Sequence, residues 1–186
     1  MIQPFKFDIN KAIESILYIV HKKAQPTFHH ISKVMYFADK DHLAKYGRFI
    51  CGDIYIAMKH GPVPSAIYDI LKMVRGDSIY FSSNIYEKAS KAFKVCGRHV
   101  VQISREPHLE EFSDSDLECL NRAIRKYGNL SFEQLTSLSH AEAAWKVADA
   151  NDIMEIEHII ATFDNADELI EHLTDPFPDE ILISEN

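Results

Sequence analysis

Asp39 and His42 stand three residues apart, with Cys51, Asp53 and His60 close behind, and these side-chain types hold metals, move protons or attack carbonyl carbons. One turn of helix would let Asp39 and His42 meet, but a catalytic zinc takes about three protein ligands. No HExxH-like set supplies the third. His30 and His42 are twelve residues apart on one predicted helix, roughly 18 Å at 1.5 Å per residue, too far to share an ion. Ten histidines therefore do not add up to a metal site. The simplest reading of His42 is a histidine held by Asp39 at the edge of the core. His29 and His30, in a helix's first turn where positive charge is disfavoured, read as neutral surface groups. Cys51 precedes Gly52 and lies near His60 in sequence, yet neither GxSxG nor a cysteine-protease signature is present. Asp53 and Asp69 could form an acid/base pair only if the fold set them across a cleft, and turn or capping hydrogen bonds account for Asp53 equally well. With no GxxxxGK[ST] or GxGxxG and six glycines in all, a phosphate cradle has little to be built from. The expectation is a protein without a catalytic set, cofactor or metal. An enzyme built on Asp39, His42 and His60 is the weakest alternative.

Lys33, Tyr36, Phe37, Lys40, Lys45, Tyr46, Arg48 and Phe49 interleave basic and aromatic types, the pattern of a nucleic-acid groove. Against it stands the net charge of −8, from 28 acidic and 20 basic side chains, which repels polyphosphate. A nucleic-acid-binding regulator using Lys33, Lys40, Lys45, Arg48 and Lys59 is thus the second function class, with salt-dependent DNA binding as its signature. Cys51, Cys96 and Cys119 are odd in number and far apart, which fits a reducing cytoplasm better than a disulfide framework. The N-terminus lacks the apolar stretch of an export signal, and no window approaches the roughly 18 apolar residues of a membrane span.

The elements that must position these residues read as mostly helical. Apolar spacing from Ile9 to Val20, behind a cap at Asp8, predicts a first helix. A second runs from a Thr27 cap to Gly47, apolar around most of its circumference and so central. Residues 53–59 read as a strand, 65–75 as a helix stopped by Gly76, 78–82 as a strand piece, and 92–95 with 98–104 as a hairpin joined through Cys96-Gly97. "NIYEKASK" is ambiguous. Ser113 with Asp116, Ser131 with Gln134 and Ser139 with Glu142 resemble capping boxes that open three helices, the last holding Trp145. Two more helices follow near 155–163 and 166–173. The fold class expected is α+β, a predominantly helical single domain over 1–174 with a small antiparallel sheet or hairpin, followed by an acidic tail over 175–186.

The apolar, strand-like run from Tyr55 ends abruptly in Lys59-His60-Gly61-Pro62-Val63-Pro64. Two prolines stiffen this stretch, which reads as a corner joining strand to helix, and the helix's first N–H groups near Lys59 and His60 read as an open carboxylate-binding spot. Within the surrounding block, Tyr36-Phe37-Ala38-Asp39-Lys40, His42-Leu43, Gly47-Arg48, Gly52-Asp53, Tyr55, Ala57, Gly61-Pro62-Val63-Pro64 and Tyr68-Asp69 closely resemble the Panacea domain, also described as the SocA-like antitoxin domain and grouped with phage-associated GepA-type proteins. "LSHAEAAWK", residues 138–146, is similar to that family's C-terminal helix entry. Phe49 departs from the pattern, which commonly has proline there.

The resemblance implies an antitoxin of a two-gene toxin-antitoxin system that neutralises a cognate toxin by direct binding, without enzymatic activity and without a cofactor. Its partner would be the toxin encoded by a neighbouring gene, with a housekeeping protease as a second partner if neutralisation proceeds by delivery and not masking. The partner-binding residues expected are Tyr36, Lys40, Arg48, Lys59 and His60. The acidic charge suits a mask for a basic, nucleic-acid-directed or nucleotide-directed toxin.

Overall fold

The computed structural model describes residues 5–22, 26–77 and 80–174. In chain order these form α1 (Ile9–Lys22), α2 (Phe28–Tyr46), β1 (Tyr55–Met58), β2 (Gly61–Pro64), α3 (Ser65–Arg75), α4 (Ser83–Ala92), β3 (Phe93–Cys96), β4 (Val100–Ile103), a 3₁₀ turn (Leu109–Glu111), α5 (Asp114–Tyr127), α6 (Phe132–Ala141), α7 (Ala143–Val147), α8 (Ile156–Ile160) and α9 (Ala166–Thr174). The class is α+β and mostly helical, with two antiparallel two-stranded sheets among the described residues.

Helix α2 is the spine. The Thr27 side chain accepts the His30 N–H at its start, and Gly47, at φ 68°, returns its N–H to the Leu43 carbonyl at its end. Ile31, Val34, Met35, Ala38 and Leu43 are wholly buried, each larger one contributing about 1.5–3 kcal/mol of burial free energy. They meet α1, α3, α5, α6, α8 and β2 on different sides, with α5 packed along the helix most extensively. An apolar circumference is thus used in full. Helix α1 starts where Asp8 Oδ1 accepts the Lys11 N–H at 3.0 Å. Ala12, Ile13, Ile16 and Leu17 then bury one face completely.

The first sheet corrects the reading of a strand-to-helix corner. Gly61-Pro62-Val63-Pro64 is itself a strand, paired with β1 in the register Tyr55 to Pro64 and Met58 to Gly61, so only Lys59 and His60 form the turn. Asn151 is the one described non-glycine residue with positive φ, so the turn's reversal falls on Gly61 at φ 97°, a tight turn closed by glycine. The open side of β1 is taken by residues 151–154, where Asn151 N–H reaches the Ala57 carbonyl at 2.8 Å and Met154 N–H the Tyr55 carbonyl at 2.8 Å. That leaves β2 at the edge, the place where prolines without N–H groups are tolerated.

The second hairpin, β3 with β4, turns at Gly97 as expected and packs on α1 and α3. Residues 80–82 are not strand, while 78 and 79 lie outside the described residues, as does the acidic tail. The ambiguous "NIYEKASK" is helical, within α4. Capping boxes at Ser113/Asp116 and Ser131/Gln134 are both formed. The third is not: Ser139 lies inside the last turn of α6 and its hydroxyl donates to the Thr136 carbonyl, so α7 begins after Glu142 without a side-chain cap.

Candidate functional site

The hairpin tip is fastened from below by the segment 139–145. His140 Nε2 lies 3.1 Å from the Lys59 carbonyl oxygen, and the Trp145 indole N–H donates to the Met58 carbonyl at 3.1 Å. His140 and Trp145 stack, with ring centroids 3.9 Å apart. Beneath Gly61 the approach is closer still, since a Cβ there would stand 2.1 Å from Ser139 Oγ. With contacts between residues more than eighty positions apart, the two similar blocks of sequence are one spatial unit.

Of the five candidate partner-binding residues, three are engaged within the molecule. Tyr36 is 1% exposed and its hydroxyl donates to Glu142 Oε2 at 3.1 Å. Burial, with the Glu142 carboxylate beside it, pushes its phenol well above the usual range. Lys40 pairs with the same carboxylate oxygen. Arg48 donates to Asp116 Oδ1 at 2.9 Å. Tyr36 therefore faces the interior of the molecule, a placement the interleaved pattern could not reveal. Lys59 and His60 alone of the five are exposed, at the hairpin tip. Phe132, 43% exposed, touches the His60 ring, and Ile153, 46% exposed, bridges to Ile56 of β1.

The basic-aromatic stripe is likewise dismantled. Lys33 is buried, Phe37 and Phe49 are under 10% exposed, and Lys45 pairs with Asp41 and Glu118. Phe49 turns into the core, edge-on to Phe5 and Tyr55. Helix α2 is covered along most of its length, and of the eight stripe residues only Lys45 and Tyr46 are exposed.

Asp39 and His42 do not hold each other, contrary to expectation. Asp39 accepts the Ile50 N–H at 2.7 Å and the Tyr55 hydroxyl at 2.6 Å. Its burial nonetheless pushes its carboxyl up to about 7. His42 instead lies 2.9 Å from the Arg48 carbonyl oxygen through Nδ1 and 3.1 Å from Asp116 Oδ1 through Nε2. Asp116 also receives Lys11 at 2.9 Å and the Ser113 N–H at 3.0 Å, so one buried carboxylate ties α1, α2, the 48–52 loop and α5. Burial alone would raise it, but His42, the Ser113 N–H and Lys11 hold it far below the ordinary carboxylate range. No sequence signal pointed to Asp116 as more than a cap. Cys51 is 1% exposed, and burial raises its thiol well above normal, the opposite of an activated nucleophile.

Asp53 is the remote cap of α3. Its Oδ1 accepts the N–H groups of Ile54 and Ala66, and its Oδ2 that of Ile67, each within 2.7–2.9 Å. The helix start expected to be open for a carboxylate is filled by this chain's own. Asp53 and Asp69 do line one cleft, of about 300 Å³, but Asp69 pairs with Lys72 at 2.7 Å. Both carboxylates already have partners. Among the described residues no group of three or more His, Cys, Asp and Glu is placed to hold a metal ion, and no helix is long and apolar enough to cross a membrane.

The larger cleft, about 500 Å³, runs beside the hairpin tip between Lys33, His29 and Phe132. His29 is half-buried, 4.2 Å from the Phe132 ring centroid to centroid, and burial with the Lys33 charge pushes its imidazole down to about 3. Sequence reasoning placed it on the surface, because Phe132 lies a hundred residues away.

No curated protein and no solved structure matches the chain. The family model described as antitoxin SocA-like, Panacea domain, matches residues 31–146, from the first buried turn of α2 to the helix that fastens the hairpin tip. With more than half of its length inside that match and both motif blocks folded into one unit, the chain belongs to the SocA-like antitoxin family with a Panacea domain.

Proposed function

We propose that this protein neutralises a toxin encoded by a neighbouring gene, by direct protein–protein binding in the cytoplasm and not by catalysis. Family membership carries the reading. Supporting it, the hairpin tip leaves the side chains of Lys59 and His60 in solvent, with exposed Phe132 against the His60 ring and exposed Ile153 bridged to Ile56 of the same hairpin. Exposed aromatic side chains are enriched at interface centres. The tip is held rigid by His140, Trp145 and Ser139, so little order has to be acquired on binding.

The test is to express the neighbouring reading frame with and without this protein, and to measure the affinity of the purified pair. Relief of growth arrest and a stable complex are expected. Lys59→Ala with His60→Ala should weaken the complex by about tenfold or more, the scale of losing an interface hot spot, and leave thermal stability unchanged. Persistent growth arrest sinks the antitoxin reading. Unchanged affinity of the double variant would instead remove the tip from the interface.

A further inference from the structure

The cleft beside the hairpin tip differs in charge from the rest of the molecule. Two lysines, Lys33 and Lys59, line it, and no aspartate or glutamate does, in a chain of net charge −8. The remaining walls are largely aromatic or apolar, with Phe28, Tyr68, Phe132, Met58 and Val63 among them. Its volume of about 500 Å³ falls within the roughly 300–1,000 Å³ of small-molecule sites, which combine such walls with a few convergent polar groups.

Lys33 is the unusual member. Its side chain is wholly buried, its Nζ donates to the Pro62 carbonyl at 2.7 Å, and no carboxylate among the described residues pairs with it. An ammonium has three donors, and burying one without a counter-charge is costly. Burial pushes this amine down to about 7. His29, on the same wall, encloses an Nε2 with no hydrogen-bond partner among the described residues. A fold that only needed to fill this space would place methionine or leucine there.

We propose that this cleft binds a small aromatic anion, a planar ring carrying one carboxylate or phosphate, with Phe28, Tyr68 and Phe132 enclosing the ring and Lys33 supplying the counter-charge. Excluding water strengthens the attraction between the anion and the buried ammonium. Lys59, at the exposed rim, steers the anion inward. The site stands on the cleft's own geometry and does not depend on which toxin the protein meets.

Calorimetry with the full chain tests this using indole-3-acetate and 1-naphthyl phosphate, with indole-3-acetamide as the uncharged match. At least one anion should bind about tenfold more tightly than the amide, equivalent to one well-placed charge contact. The carboxylate and phosphate arms separate the two anion classes. Lys33→Met should abolish the preference for charge, while Lys59→Ala should weaken anion binding by a smaller factor that vanishes in high salt. Absence of binding by both anions at millimolar concentration overturns the proposal, as does equal affinity for anion and amide. Should Lys33→Met fail to fold, the anion-to-amide ratio and Lys59→Ala decide alone. A folded Lys33→Met that loses toxin neutralisation, in a protein that takes up neither anion, would give the cleft to the toxin instead.

Discussion

Replacing Gly61 by alanine tests the contact on which the hairpin tip is built. The new methyl would stand 2.1 Å from Ser139 Oγ, 2.8 Å from Ser139 Cβ and 3.0 Å from Lys33 Nζ, at a backbone φ of 97°. Two costs add. Holding a non-glycine residue at positive φ costs about 1–2 kcal/mol. Forcing a methyl into packed space costs about 1–3 kcal/mol, here because Ser139 must give up its bond to the Thr136 carbonyl or α6 must draw back from β2. Gly61→Ala should therefore lose about 2–5 kcal/mol in urea denaturation. Ser139→Gly removes both nearest atoms, so the double variant should recover the steric part and retain about 1–2 kcal/mol of backbone cost, beyond the helix penalty of the new glycine. The coupling between the two sites should then be about 1–3 kcal/mol. A Gly61→Ala protein within about 0.5 kcal/mol of wild type refutes the reasoning, and so do strictly additive variants.

Asp53→Ala should destabilise the protein by about 2–4 kcal/mol in the same assay, because three N–H groups at the start of α3 and in β1's approach lose their acceptor; a loss under about 1 kcal/mol would show that the helix finds another cap. Lys33 should shape the pH dependence: its folded-state value is lowered to about 7 from 10.5, so the unfolded chain binds more protons between these limits and stability rises with pH across them. Compared with Lys33→Met, the wild type should gain up to about 1.4 kcal/mol per pH unit above pH 7, and parallel curves from pH 7 to 9 would contradict a dry, unpaired ammonium.

Local signals were legible from the residues alone. Asp8, Thr27, Ser113 and Ser131 cap helices as read, because a cap and its N–H target are separated by three residues and need no tertiary partner. The β3–β4 hairpin was legible for the same reason, with Gly97 at its turn. Ser139 fits the same spacing rule yet caps nothing, since the helix before it simply continues to Ala141. The β1–β2 hairpin was missed because a strand holding two prolines survives only at an edge, and its edge position was set by residues 151–154 pairing with β1's other side.

What the sequence determined by itself was composition, periodicity, caps and a motif pattern specific enough to name the family. Which charge meets which was decided only by the tertiary structure. Asp39 chose Tyr55 and Ile50 over His42, and His42 chose Asp116. Tyr36 and Lys40 found Glu142 more than a hundred residues away. A buried polar group must be satisfied by whatever the packing of α2 against its neighbours brings within about 3 Å, and sequence spacing carries no record of that.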